Sequence, residues 1–116
     1  MLIYIKRVYE EAENSDGVRI LVDRLWPRGL SKEKANIHFW AKNVAPSTDL
    51  RKWYNHDPAK WKEFKDSYFI ELNTNSDSIT EFREYLNKSV VTFLFSSKEL
   101  KLNNSVALKE YIETYL

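Results

Sequence analysis

This sequence predicts an α/β fold in a single compact domain, with a roughly four-stranded, mostly parallel sheet covered by helices. Three observations carry the prediction. Three runs rich in β-branched and aromatic residues fall near the start of the chain, helical periodicity then takes over, and a fourth apolar run, Val90 to Phe95, arrives late with one more helical segment behind it. The length, 116 residues, suits one unit of about 100–200 residues. Such a chain buries roughly two-thirds of its unfolded surface, so it needs no metal or disulfide for stability.

The elements follow in order. Residues 2–9 form the first strand. Asn14-Ser15-Asp16-Gly17 is a turn, in which Gly17 is free to take positive φ. Val18 to Asp23 is a second strand, apolar enough for burial on both faces. Ser31 to Ala35 makes one short helical turn, and Ile37 to Val44 alternates imperfectly as a third strand. Ser47 caps a helix running to about Tyr54, with Asp49 placed well against its N-terminal dipole. Asp57-Pro58 opens the next helix, an N-cap carboxylate followed by a proline at the first helical position. On that helix Trp61, Phe64, Tyr68 and Leu72 share one face, while Lys60, Lys62, Lys65 and Asp66 share the other. Ser78-Ile-Thr-Glu81 reads as a capping box that turns Ile79, Phe82 and Leu86 inward. Val90 to Phe95 is a buried strand broken at Ser96-Ser97. The last helix starts near Ser105 and aligns Leu108, Tyr111, Ile112 and Tyr115.

Composition excludes several classes of function. The chain has no cysteine, which removes disulfides, thiolate nucleophiles and cysteine-ligated metal centres. Its opening residues lack a signal-peptide pattern, and no apolar run approaches the ~20 residues of a membrane span. The expectation is a soluble, cytoplasmic protein with no membrane partner. Net charge is +1 but unevenly spread: residues 17–62 hold ten Lys/Arg against four Asp/Glu, and residues 63–116 hold six against nine. The first half reads as a ligand face that attracts anions, and the second as an acidic packing shell.

The most informative stretch is Val22-Asp23-Arg24-Leu25-Trp26-Pro27-Arg28-Gly29. An apolar strand ends there in charges of opposite sign, a tryptophan, a backbone-fixing proline and a second arginine. Ligands of open parallel sheets collect beyond the carboxyl ends of the strands, and three strand ends here carry Lys6-Arg7, Asp23-Arg24 and Ser96-Ser97. Guanidinium forks suit carboxylate or phosphate. Arg7, Arg24 and Arg28 are therefore expected to clamp an anion, with Trp26 as a wall and Asp23 orienting the arginines or moving a proton. The structural alternative is that Asp23 pairs with Arg24, Arg7 or Arg19 and that Trp26 plugs the core.

A second cluster comprises Lys42, Ser47 and Arg51. The amides behind Ser47 form a helix N-terminus able to seat an anion, although capping alone would also explain that serine. His56 is the leading acid–base candidate because histidine titrates near neutrality, with a surface or cap-associated histidine as the plainer reading. His38 reads as solvent-facing or packed. Ser96 and Ser97 lack the Gly-x-Ser-x-Gly elbow of a nucleophile. Two histidines without carboxylates at ligand spacing make no metal site. Two glycines, Gly17 and Gly29, exclude Walker A and dinucleotide fingerprints, so no cofactor is expected.

These residues bring a family into view. Ile5-Lys6-Arg7-Val8-Tyr9, the run from Val22 to Gly29, Trp40-Ala-Lys42 with Ala45-Pro46-Ser47, Leu50-Arg51-Lys52-Trp53, His56-Asp57-Pro58 and Tyr68 with Glu71-Leu72 together resemble the YeaO-like family of uncharacterised bacterial proteins, domain of unknown function 488. The resemblance implies a compact α/β fold and brings no established activity. Similar proteins place a His-Asn pair after the last strand, where this chain reads Ser96-Ser97-Lys-Glu-Leu-Lys-Leu-Asn103-Asn104.

The leading functional expectation is a small-ligand protein whose arginine-lined pocket holds a phosphate-, nucleotide- or carboxylate-bearing anion, with or without catalysis. One alternative is a nucleic-acid-binding or regulatory protein that stacks bases on Trp26, Trp40, Trp53, Tyr54 and Trp61. Another is a protein–protein adaptor using a Lys52-Trp53-Tyr54 surface.

Overall fold

The computed structural model describes residues 1–116. Its sheet contains β1 (Leu2–Arg7), β2 (Val18–Leu21), β3 (Phe39–Trp40) and β4 (Val90–Phe95), all parallel, in the order β1-β4-β2-β3. The chain's last strand is thus inserted between its first two. Its composition suits that place, since Val91, Phe93, Leu94 and Phe95 are all buried and a central parallel strand is covered on both faces. Phe93 is paired with Ile5 on one side and Ile20 on the other, at the middle of the sheet.

Two unequal layers cover the sheet. On one face lie α2 (Thr48–Tyr54), α3 (Trp61–Asn73), α4 (Ser76–Leu86) and α5 (Asn104–Tyr115). They bury a cluster of 18 residues that includes Phe64, Tyr68 and Leu72 of α3, Ile79 and Phe82 of α4, and Leu108 and Ile112 of α5. Full burial of one such side chain contributes roughly 1.5–3 kcal/mol. The opposite face carries α1 (Lys32–Ala35) and a smaller cluster of Val8, Leu21, Ala35 and Leu94, joined by half-buried Trp26, Leu30, Ile37 and Trp40. No helix is long and apolar enough to cross a membrane.

Several boundaries differ from those expected. β3 is two residues long instead of spanning Ile37 to Val44, because the chain bends at Ala41 into a single tight turn over Lys42–Val44. β2 stops at Leu21, and the Val22 amide then donates to the Leu94 carbonyl at 3.0 Å. Ser78 is not a cap: α4 starts at Ser76, only two residues after α3 ends, so Ser78 lies inside the first turn. Pro58–Lys60 forms a 3-10 turn ahead of α3, with the Asp57 carboxylate accepting from the Ala59 amide at 3.0 Å. Asn103 caps α5, whose first residue, Asn104, is one before the expected start.

Under the smaller layer the structure buries charge. Arg19 is 1% exposed; it pairs with the Asp16 carboxylate and donates to the carbonyls of Ala35 at 2.8 Å and Asn36 at 3.0 Å. Lys6 Nζ lies 3.2 Å from both Asp16 oxygens. Burial would raise the Asp16 carboxyl, but the Glu13 amide, Lys6 and Arg19 outweigh it and hold the group below its ordinary range. Gly17 adopts φ 65°, and a Cβ there would meet the Val90 carbonyl oxygen at 2.2 Å, so glycine alone lets the Asn14–Asp16 turn close against β4.

This topology positions a crevice. From β2 the chain passes to α1 and the smaller layer, whereas from β4 it passes to α5 and the larger one. β2 and β4 are neighbours, so their following loops part over opposite faces, which is where open α/β sheets bind ligands.

Candidate functional site: a cationic cleft at the carboxyl edge of the sheet

Asp23 stands at the parting of the loops. Its Oδ2 accepts from the Ser96 amide and hydroxyl, both at 2.8 Å, and its Oδ1 accepts from Asn104 Nδ2 at 3.1 Å. Asn104 also donates to the Val22 carbonyl at 2.9 Å, and Trp40 Nε1 donates to the Asp23 carbonyl at 2.7 Å. Asp23 thus ties the end of β2 to the loop after β4 and to the start of α5. It pairs with none of Arg7, Arg19 or Arg24: the five ion pairs of the chain leave Asp23 out, and Arg19 is the only arginine among them.

Arg24 rests on a shelf. Its Nε and Nη2 donate to the carbonyls of Pro46 and Ala45, each at 3.0 Å. The shelf is itself fixed by α3. The buried Tyr68 hydroxyl donates to the Val44 carbonyl, and burial, with the Glu71 and Asp23 charges behind it, pushes that phenol well above its ordinary range. Glu71 accepts from the Ser47 amide at 2.9 Å and the Ser47 hydroxyl at 2.6 Å.

Around Asp23 and Arg24 opens a cleft of about 310 Å³ lined by 15 residues. One side comes from the loop after β2, with Leu25, Trp26 and Arg28. Another comes from the end of α2, with Arg51, Tyr54 and His56. The loop after β4 supplies Ser96, Ser97, Asn103 and Asn104, and Tyr9, Pro46 and Phe64 complete it. Three guanidinium groups therefore meet a single carboxylate, and that carboxylate is already hydrogen-bonded. α5 adds the positive end of a helix dipole, since its cap and first residue are Asn103 and Asn104.

The sequence-derived candidates divide accordingly. Asp23, Arg24, Trp26, Arg28, Arg51 and His56 line one cleft. Arg7, Lys42 and Ser47 stand outside it. Arg7 donates to the carbonyls of Ser97 and Ser96, both at 2.9 Å, and lies over the Tyr9 ring, so it holds the β4–α5 loop in place. Lys42 lies 5.0 Å from the centre of the Trp40 ring, out at the surface. Ser47 accepts from the Leu50 amide at 3.1 Å as a helix cap, and the Glu71 carboxylate occupies the anion seat that its amide offered. His56 is exposed and has φ 54°, directly after Asn55 at φ 45°. Two successive left-handed residues turn it from α2 toward the cleft, a backbone uncommon for non-glycine residues, though asparagine and histidine adopt it more readily than most. The His38 side chain, also at the surface, accepts from the Arg19 amide through Nδ1 at 3.0 Å.

Sequence reasoning did not place Tyr9, Leu25, Phe64, Asn103 and Asn104 at the site. Position after a strand end was the available signal for Tyr9. For Asn103 it was the Asn-Asn pair ahead of a helical segment. Phe64 is on the predicted apolar face of α3, and nothing local marks its edge as reaching a cleft. No cluster of three or more His, Asp or Glu side chains is placed to hold a metal ion.

The other aromatic candidates have mixed roles. Trp26 Nε1 donates to the Leu30 carbonyl at 2.7 Å, and Trp26 meets Trp40 edge-on. Trp61 is half-buried against Tyr54 and Phe64. Trp53 is 40% exposed under Lys60, but Tyr54 beside it is buried, so Lys52-Trp53-Tyr54 is not a continuous surface.

Comparisons with known proteins place the chain among uncharacterised relatives. A family model described as "Inactive DUF488-N3 subclade" matches residues 2–116. The uncharacterised protein YeaO of Escherichia coli (strain K12) is 37% identical over 114 residues, covering 98% of this chain and 99% of that one. An uncharacterised protein of Mycobacterium tuberculosis (strain ATCC 25618 / H37Rv) is 36% identical over 110 residues, covering 95% of this chain and 92% of that one. No solved structure matches the chain.

Proposed function

The chain belongs to the YeaO-like DUF488 family, and from that membership and the cleft we propose that it binds a small phosphate- or carboxylate-bearing anion without turning it over. The observation that carries this reading is the charge of the site. Arg24, Arg28 and Arg51 converge on one cleft with no carboxylate paired to any of them. The one sealed guanidinium, Arg19, is charge-matched by Asp16, and the unpaired Arg7 is spent on the Ser96 and Ser97 carbonyls outside the cleft. Unmatched guanidinium groups sharing an open crevice repel one another until an anion enters, which makes the crevice selective for negative charge.

Binding without turnover fits the same residues. Both oxygens of Asp23 accept from Ser96 and Asn104, so this carboxylate serves as a fixed structural acceptor. The Ser96 hydroxyl is spent on Asp23, and no hydrogen bond joins it to His56 across the cleft. The family model's own description, an inactive subclade, points the same way.

Titration calorimetry in a low-chloride, low-salt buffer tests this reading with inorganic phosphate, acetate and a nucleoside monophosphate. The exposed side chains of Arg28 and Arg51 leave the fold intact when truncated. Arg28→Ala and Arg51→Ala should each weaken anion binding about tenfold or more, the worth of one charged hydrogen bond. Lys42→Ala, outside the cleft, should leave it unchanged. Failure of all three anions to bind, or an equal loss in Lys42→Ala, would overturn the assignment.

A further inference from the structure

We infer that the ligand of this cleft carries an aromatic ring behind its anionic head, an inference that rests on the anion-binding reading above. The cleft straddles the carboxyl edge of the sheet, so each covering layer contributes an aromatic wall. Trp26 comes from the smaller layer, where it packs on the cluster of Val8, Leu21, Ala35 and Leu94. Tyr54 and Phe64 come from the larger layer, where both belong to the main core.

Both walls are held in fixed planes. The Trp26 indole is anchored by its bond to the Leu30 carbonyl and by its edge contact with Trp40. Tyr54 is anchored by its hydroxyl, which donates to the Leu102 carbonyl at 2.6 Å, and stacks on Phe64 with centroids 4.2 Å apart and planes 21° apart. At the mouth, Leu25 is 58% exposed and Tyr9 is 42% exposed, the latter with its hydroxyl bonded to the Arg28 carbonyl at 2.8 Å. The cavity of about 310 Å³ falls within the ~300–1,000 Å³ of small-molecule sites, more room than a bare tetrahedral oxyanion fills.

An inorganic anion at Arg24, Arg28 and Arg51 would leave Leu25, Tyr9 and the half-buried Trp26 wet, with the buried Tyr54 and Phe64 as the rigid backing behind them. A ligand that covers the wet side chains gains from removing that surface from water. Rigid, pre-set rings favour a flat group over a flexible chain, because offset or edge-on ring pairs add attraction while a chain loses rotamer freedom. The neighbouring guanidinium planes also accept a ring face.

Matched pairs of ligands test the inference by calorimetry. Phenyl phosphate is compared with inorganic phosphate and butyl phosphate, and phenylacetate with acetate and hexanoate. In at least one pair the ring should tighten binding about tenfold over the bare anion, more than the alkyl chain does. The pair that shows the gain identifies the head group. Trp26→Ala should abolish the advantage of the ring over the bare anion. Leu25→Ser, at an exposed position that leaves the fold intact, should reduce it. Binding of inorganic phosphate or acetate with no ring advantage, or an alkyl chain that performs as well, overturns this inference and leaves the anion site standing. Absence of binding by every compound overturns both.

Discussion

Arg19 and Arg24 are five residues apart in the chain, yet the fold spends them in opposite ways. The Arg19 side chain, 2% exposed, turns its fork inward to Asp16 and to two carbonyls beneath the smaller layer. Arg24 leans on the carbonyls of Ala45 and Pro46 and presents the rest of its fork to the cleft. A guanidinium sealed inside a protein requires a counter-charge, because its lost hydration costs several kcal/mol. One at an open edge keeps water and requires none. Chemical type is the same in both places; what the surrounding chain packs against the fork decides whether an arginine is scaffold or site.

The largest effect that would sharpen this contrast is expected at Asp16. Asp16→Asn strands the buried Arg19 charge and should cost about 3–5 kcal/mol in urea denaturation at neutral pH. Phosphate affinity of the molecules that remain folded should not change. A cost under about 1 kcal/mol would show that the two carbonyls satisfy Arg19 unaided.

The same carboxylate sets an acid limit. Its folded-state pKa lies below the ordinary 3.8, so its stabilisation is complete above that value and is lost as pH falls through the folded-state one. A pH series of denaturation curves should show wild-type stability falling on the acid side, with a shallower fall in Asp16→Asn. Parallel acid limbs would remove Asp16 as their cause.

A smaller effect belongs to Arg24, which both supports and lines the cleft. Arg24→Ala should lose about 1–3 kcal/mol in all, since both carbonyl contacts are only partly buried, together with phosphate binding. Loss of binding without loss of stability would mean that the shelf holds on its own. Smallest is Gly29→Ala. Gly29 has φ 75° with open space around its absent side chain, so the substitution costs only left-handed strain, about 1–2 kcal/mol. A heavier loss would show that the loop bearing Arg28 packs more tightly than its surroundings indicate.

How much of this was legible beforehand follows from the range of each interaction. The α3 face reads directly, because Phe64, Tyr68 and Leu72 recur at helical spacing and all three are buried. The Asp57-Pro58 start signal acts within two residues and holds, and so does the Ser47 cap. Ser78 misleads because Ser78-Ile-Thr-Glu81 has capping-box spacing, whereas the tight α3–α4 connection starts the helix at Ser76, with Asn75 at the cap position and no side-chain cap bond. Glu71 could not be tied to Ser47 from spacing, since 24 residues separate them. The bond from Asn104 to Asp23 spans 81 residues, beyond any local pattern.

The amino-acid sequence alone determined the class of fold, the strand ends that carry charge and the excess of lysine and arginine over carboxylate in residues 17–62. Those properties depend on local periodicity and composition, which each stretch expresses wherever it lies. Only the tertiary structure decided that β4 enters between β1 and β2, which brings the Asp23 and Ser96 loops side by side. It also decided that Arg24, Arg28 and Arg51 face one hollow while Arg7 and Ser47 are consumed as supports. The physical reason is that a hydrogen bond or a repulsion between groups distant in the chain exists only once packing has brought them within a few ångströms of each other.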